Sequence, residues 1–264
     1  MSAVRLLGRC LDGRGRPGLC EVQGDRVQPL EGDLFGELRA HGKALDLSNV
    51  RLLPPVMPGK VVGVGTNYRA HALEMGKGVP TVPKIFLKPS TAVIGPGEPI
   101  VIPPGTVRVD HEAELGVIIG RTMSRVKAAD AYQYIAGYTC VNDVTARDFQ
   151  KEDGVFARAK GFDSFCPLGP VMAVGLDPTD LAVRCRVDGA LRQDSRTSDL
   201  VFDIPTLLEF ISNIMTLLPG DVLSTGTPAG VSPLRAGQVV EVELEGIGVL
   251  SNPVIDREDR VASE

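Results

Sequence analysis

Between residues 79 and 105 the chain reads VPTVPKIFLKPSTAVIGPGEPIVIPPG, and no apolar run in it is longer than three residues before proline, glycine or a polar residue intervenes. Proline lacks the backbone N–H and clashes with the preceding helical turn. This stretch therefore cannot form a helix of ordinary length, and proline is also barred from central strand positions. It predicts short strands joined by tight turns, the texture of a β-rich roll rather than of a parallel α/β sheet. The whole chain has 264 residues and is 43% hydrophobic, enough for one large domain or a main domain with a small annex.

The remaining pattern supports a fold that is α+β and rich in β. Residues 1–55 read as short strands and turns (VRLLGRC, GLCEVQG, DRVQPL) with a short helix over GDLFGELRAHG, which makes a small N-terminal α/β subdomain. The Pro- and Gly-rich LLPPVMPGK leads into a second unit, residues 56–264. There KVVGVG is a buried strand, and NYRAHALEMG is a helix with Asn67 as N-cap and Gly76 at its end. KAADAYQYIAG also reads as a helix, and YTCVNDVTARDFQ as a strand running into one. In DIPTLLEFISNIMTL, Asp203 caps, Pro205 lies near N1, and Leu207, Leu208, Ile211, Met215 and Leu218 form the apolar stripe. VVEVELEGIGVLSNPV is a hairpin with one wet face.

One strand breaks its own logic. DHEAELGVIIG (110–120) runs into a fully apolar segment, yet it opens with Glu112 and Glu114, preceded by Asp110. Side chains at i and i+2 of a strand share a face, about 6.6 Å apart. Carboxylates so placed repel each other and are costly to bury unpaired. A hard divalent cation with oxygen ligands resolves the conflict, and Asp143, at the end of another apolar strand, offers a third carboxylate. No Cys or His is in register with these acids, which disfavours zinc and copper. Glu-x-Glu also occurs on solvated strand faces, as in VEVELEG of this chain.

The net charge is −5 and there is no Trp. With no basic stretch interleaved with aromatics, nucleic acid is excluded as the expected partner. Five scattered cysteines without a C-x-x-C suit free thiols in a reducing compartment. No apolar run approaches the ~20 residues of a membrane span, and MSAVRLLGRCLDG lacks the apolar core of a secretory signal. A cytoplasmic location is expected. GVGTNY is not a dinucleotide fingerprint, because Tyr68 stands where the third glycine belongs.

Six ordered blocks, GTNYRAHALE (65–74), IFLKPS (85–90), EAELGVIIG (112–120), YTCVNDVTARDFQ (138–150), AKGFDSFCPLGP (159–170) and LSTGTPAGV (223–231), resemble the fumarylacetoacetate hydrolase family. The likeness runs from about Lys60 to Asn252. It implies a mixed β-sandwich roll that binds one Mg²⁺, with Mn²⁺ or Ca²⁺ as substitutes, through Glu112, Glu114 and Asp143. Asp110 falls outside the motif, as a supporting or solvent residue.

The resemblance further implies that Lys160 is the active-site lysine, placed to neutralise enolate or oxyanion charge; read alone, it is a surface lysine. Arg147 and Gln150, three apart, share a face that could hold a substrate carboxylate, although an isolated arginine is more often a structural ion pair. Gly226 and Thr227 lie in a loop whose N–H groups could cradle a carboxylate, or simply turn the chain. His71 and Glu74 match a dyad that orients attacking water, and MGKGVPTVP after them reads as a lid; by spacing alone they are a solvent pair. Phe86, Phe149 and Phe162 are the expected pocket walls. His41 and His111 have no assigned role. The implied activity is metal-dependent chemistry on short 2-oxo or diketo (di)carboxylic acids through a chelated enolate. It would proceed by C–C hydrolysis of an acylpyruvate type or by isomerisation of 2-hydroxyhepta-2,4-dienedioate in aromatic catabolism. Oxaloacetate-type decarboxylation and a non-catalytic small-molecule-binding scaffold are the alternatives. A homodimer is expected by resemblance.

Overall fold

The computed structural model describes residues 3–76 and 78–257. Two packed sheets dominate it. The larger has thirteen strands, and its central run places Arg5–Leu11, Cys166–Val174, Ile135–Asn142, Ala113–Ile119, Val222–Ser224, Lys60–Gly65 and Lys84–Pro89 side by side. Most pairs are antiparallel, but Val222–Ser224 runs parallel to Lys60–Gly65. The second sheet has five strands and includes the hairpin Val239–Leu244 and Gly248–Asp256. That hairpin alternates buried with half-buried positions, as its sequence pattern requires.

Alternation along Ala113–Ile119 sorts the interior. Ala113, Leu115, Val117 and Ile119 join Val183, Val240, Val242 and Leu250 in the core between the sheets. Ile118, on the opposite face, joins Val61, Val141, Leu168 and Val222 in a second cluster. The strand is thus covered on both faces over its whole length. Helix α4 (Ile204–Ile214) covers the main core with Leu207, Leu208 and Ile211, and Asp203 caps it by accepting from Thr206 N at 2.9 Å. Met215 and Leu218 lie beyond its end, with Leu218 exposed.

Several local expectations differ from the structure. Residues 33–36 form a turn, and Leu38–Ala40 is a strand rather than part of a helix. Asp33 accepts from Phe35 N at 3.0 Å, a local turn that outcompetes helix formation. The described residues of the N-terminal segment therefore contribute strands and one 3₁₀ turn, with no α-helix, and the strand Arg5–Leu11 joins the large sheet by pairing with Cys166–Val174. Residues Ala128–Tyr134 form a 3₁₀ rather than an α-helix. Helix α1 (Arg69–Glu74) starts after Tyr68, and its N-cap makes no side-chain bond.

Asn67 is spent elsewhere. Its amide donates to Thr225 O (2.8 Å) and Phe202 O (3.0 Å) and accepts from Phe202 N (2.9 Å). It staples the start of α1 to two distant loops. Lys77, in the expected lid, and residues 258–264 of the expected second unit lie outside the described residues. No described helix is long and apolar enough to cross a membrane.

Replacing Asn67 by Ala removes the partner of one buried backbone group, Thr225 O, and of two half-buried ones, Phe202 O and N. At ~1–3 kcal/mol for each lost partner, partly relieved by water, the loss of unfolding free energy is expected to be about 2–4 kcal/mol. Urea denaturation measures it, and a loss below 0.5 kcal/mol would show that the staple is dispensable.

Candidate active site

Glu112 and Glu114 project from the face of the buried strand opposite the main core, and Asp143 follows the adjacent strand, its N–H donating to Glu112 O at 2.9 Å. One ligand oxygen from each of the three lies within 4.8 Å of the others, and all three side chains are buried.

Cations surround them. Lys160, at the end of the short helix α3 (Ala157–Lys160; α2 is Arg147–Asp153), donates to Glu112 (2.8 Å), Thr145 (2.8 Å) and Asp143. Lys88, wholly buried on Lys84–Pro89, donates to Asp143 at 2.5 Å and to Val144 O at 3.3 Å. Arg147 bridges Glu112 (2.6 Å), Asp110 (2.8 Å) and Gln150 (3.2 Å). Asp110 is itself buried and grips Arg108 as well.

Glu114 is the exception. One of its oxygens accepts from Ser224 Oγ (2.5 Å) and Gly226 N (2.8 Å), but among the described residues no cation touches it. Gly226 can approach this closely because it sits at φ +99° with Asn67 packed against it; a Cβ there would lie 2.7 Å from Asn67 Cβ. In this structure the glycine loop therefore cradles the protein's own carboxylate. Thr227 lines the pocket and donates to Ala113 O at 2.9 Å.

Electrostatics divide the acids. Burial alone would raise Glu112, but Lys160 and Arg147 hold it well below the ordinary carboxylate range. Glu114 is pushed well above that range by burial and by the charges of Asp143 and Glu112. Lys160 resists the lowering that burial imposes because Asp143 and Glu112 face it. The centre is short of positive charge at Glu114, where three hard oxygen donors converge. That donor set fits an Mg²⁺-, Mn²⁺- or Ca²⁺-sized cation, with bonds of ~2.0–2.6 Å. Glu112, Glu114 and Asp143 would hold it, and it suits no soft-ligand metal.

Beside the triad lies a small pocket of about 40 Å³, lined by His71, Arg147, Gln150, Lys160, Thr227 and Phe156 among others. His71 is 5% exposed, and its Nδ1 pairs with Glu74 at 3.0 Å. Gly230 N donates to the other Glu74 oxygen at 3.0 Å. Thr66, also in the wall, holds φ +60°, unusual for a β-branched residue and a mark of local strain.

The expected aromatic walls are corrected. Phe86 lies under Lys160 and packs edge-on against Phe156 at 5.2 Å, while Phe149 and Phe162 pack on each other and on the core. Phe156 is the aromatic residue that lines the pocket.

Lys88 and Ser224 carried no assignment in the sequence, although both stand in quoted blocks; a lysine inside an otherwise apolar strand was the available signal. His111, wholly buried, pairs with Gln193 (3.0 Å) and Ser232 (2.8 Å), and burial lowers its pKa. His41 is exposed near Glu31.

A β-rich roll with a buried three-carboxylate centre defines the class. Residues 60–255 match the family described as fumarylacetoacetate (FAA) hydrolase, C-terminal, and residues 7–55 match one described as Rv2993c-like, N-terminal. The chain belongs to the fumarylacetoacetate hydrolase family. The crystal structure of 2-hydroxyhepta-2,4-diene-1,7-dioate isomerase from Mycobacterium marinum is 43% identical, covering 97% of this chain and 99% of that one, with TM-score 0.89. Maleylpyruvate hydrolase from Sphingobium sp. SYK-6, solved in complex with manganese(II) and pyruvate, is 31% identical over 96% of this chain and 99% of that one, with TM-score 0.79. A mitochondrial oxaloacetate tautomerase of Xenopus laevis is 43% identical over 80% of this chain and 70% of its own length.

MgCl₂ or MnCl₂ at 100 times its Kd is expected to stabilise the protein by about 2.7 kcal/mol, an effect reversed by EDTA and absent in Glu114→Ala. Differential scanning calorimetry reads it, and equal stabilisation of the variant would place the cation elsewhere.

Proposed function

We propose that the protein is a divalent-metal-dependent enzyme, with Mg²⁺ as the working ion, that isomerises short 2-oxo or 2-hydroxydienoic acids by moving a proton along the carbon chain. The observation that carries this reading is the shared pocket: His71, paired with Glu74, opens onto the same small space as Glu112 and Glu114, two of the three buried acids. A bound divalent ion would supply electrophilic stabilisation of the negative charge that develops on a 2-oxo oxygen.

The protein's own groups do the rest. Glu74 accepts the Nδ1 proton of His71, which fixes the tautomer and leaves Nε2 as the base facing the pocket. For a 2-hydroxydienoic acid, His71 takes the proton of the 2-hydroxyl and returns it at C5, which leaves the 2-oxo-3-ene isomer. Lys160 adds positive charge where the oxyanion forms. Arg147 and Gln150, held in place by Asp110 and Glu112, orient the substrate's first carboxylate. The pocket has space for a group the size of a few waters, which suits a compact 2-oxo acid head and favours proton transfer over a reaction that must also seat a water. Hydrolysis of acylpyruvate-type C–C bonds is the second reading. It is supported by the same dyad, which could orient water, and by the hydrolase among the structural neighbours.

Acetylpyruvate, oxaloacetate and 2-hydroxyhepta-2,4-dienedioate, each incubated with Mg²⁺ and with EDTA, separate the reactions. Isomerisation sensitive to EDTA is expected, and His71→Ala should lower it at least ~10²-fold. EDTA-sensitive C–C cleavage instead would select the second reading, and turnover of none with Mg²⁺ bound would favour a binding scaffold.

A further inference from the structure

The small pocket does not end at the head group. Through Phe156, Met75, Arg147 and Gln150 it is continuous with a wider groove whose rim carries Lys84, Arg108 and Lys151. Lys84 begins the strand Lys84–Pro89, Arg108 precedes Val109–Asp110, and Lys151 stands four residues after Arg147 on α2, hence on the same helix face.

The acids near this rim are already committed. Asp110 is held by both Arg108 and Arg147. Asp148 accepts from Thr106 and from backbone N–H groups. Glu152 and Asp153 pair with Arg158, and Glu74 with His71 and Gly230 N. Among the described residues neither Lys84 nor Lys151 has an ion-pair partner. A groove with two uncommitted ammonium groups therefore opens from the inner centre. A second groove from the same pocket has an apolar wall of Val79, Pro80 and Val82 and shares Lys84 at its edge, so Lys151 belongs to the first groove alone.

We infer that the Lys84–Lys151 groove is a subsite for a second carboxylate, so that these two lysines select 2-oxo diacids over 2-oxo acids with uncharged tails. The inference rests on the proposed function for where the head group sits. Two exposed ammonium groups act chiefly through charge, so the preference is modest and weakens with salt.

Isothermal titration of the Mg²⁺-loaded protein with 2-oxoheptanedioate and 2-oxoheptanoate, which differ only in the terminal carboxylate, tests it; oxalate serves as a head-only probe. Wild type is expected to bind the diacid about 10-fold more tightly at low salt. The double variant Lys84→Met/Lys151→Met should lose that preference while binding oxalate as before, and Lys→Arg at both positions should retain it. Oxalate binding without a diacid preference, or a preference that survives in the methionine variant, would overturn the subsite alone. Failure of oxalate and both 2-oxo acids to bind would overturn the proposed head-group site and the subsite with it.

Discussion

Three carboxylates buried within 4.8 Å of one another are the constraint on which the rest of the structure depends. Leaving such charges unpaired in the interior costs several kcal/mol each. The fold meets that cost from several directions at once: Lys88 from one side strand, Lys160 from α3, Arg147 from α2, and Ser224 with Gly226 from the glycine loop. Each element is held in place partly by what it brings to the centre. Among the described residues the pairing still leaves Glu114 without a cation, and that imbalance is what fits the three acids to hold a metal ion.

A second layer sets the geometry. Asp110 is buried so that Arg147 reaches Glu112 at a fixed angle. Gln193 ties the start of the acidic strand to the glycine loop: it accepts from Ala113 N at 3.0 Å and donates to Thr227 (2.7 Å) and Pro228 O (2.8 Å). Asn67 ties the same loop to the helix that carries His71. The dyad and the triad are thus tied to the same glycine loop, which couples their positions.

Strand alternation pointed to the acidic centre, and the family resemblance, rather than the spacing alone, set it apart from a solvated face such as VEVELEG. Glu112 and Glu114 could share a face only with a face to share, and the apolar run after them placed that face in the interior. Asp203 and the hairpin at 239–256 were legible for similarly local reasons. The helix over 32–42 was misread because the side chain of Asp33 bonds its own backbone, a competition that apolar spacing does not register. Asn67 looked like a cap because its partners, Phe202 and Thr225, are more than 130 residues away. Lys88 escaped notice for the same reason: its partner, Asp143, is distant in sequence. The aromatic wall went to Phe156 instead of Phe86, Phe149 or Phe162, since Phe149 and Phe162 turn toward each other and Phe86 packs edge-on behind Phe156.

The central claim is that Glu112, Glu114 and Asp143 together hold one divalent cation beside His71. Anomalous diffraction at the manganese edge, from crystals grown with MnCl₂, tests it most directly. The account predicts one strong peak bounded by these three carboxylates. A peak at any other group of residues, or none there while Lys160 alone bridges Glu112 and Asp143, would contradict it.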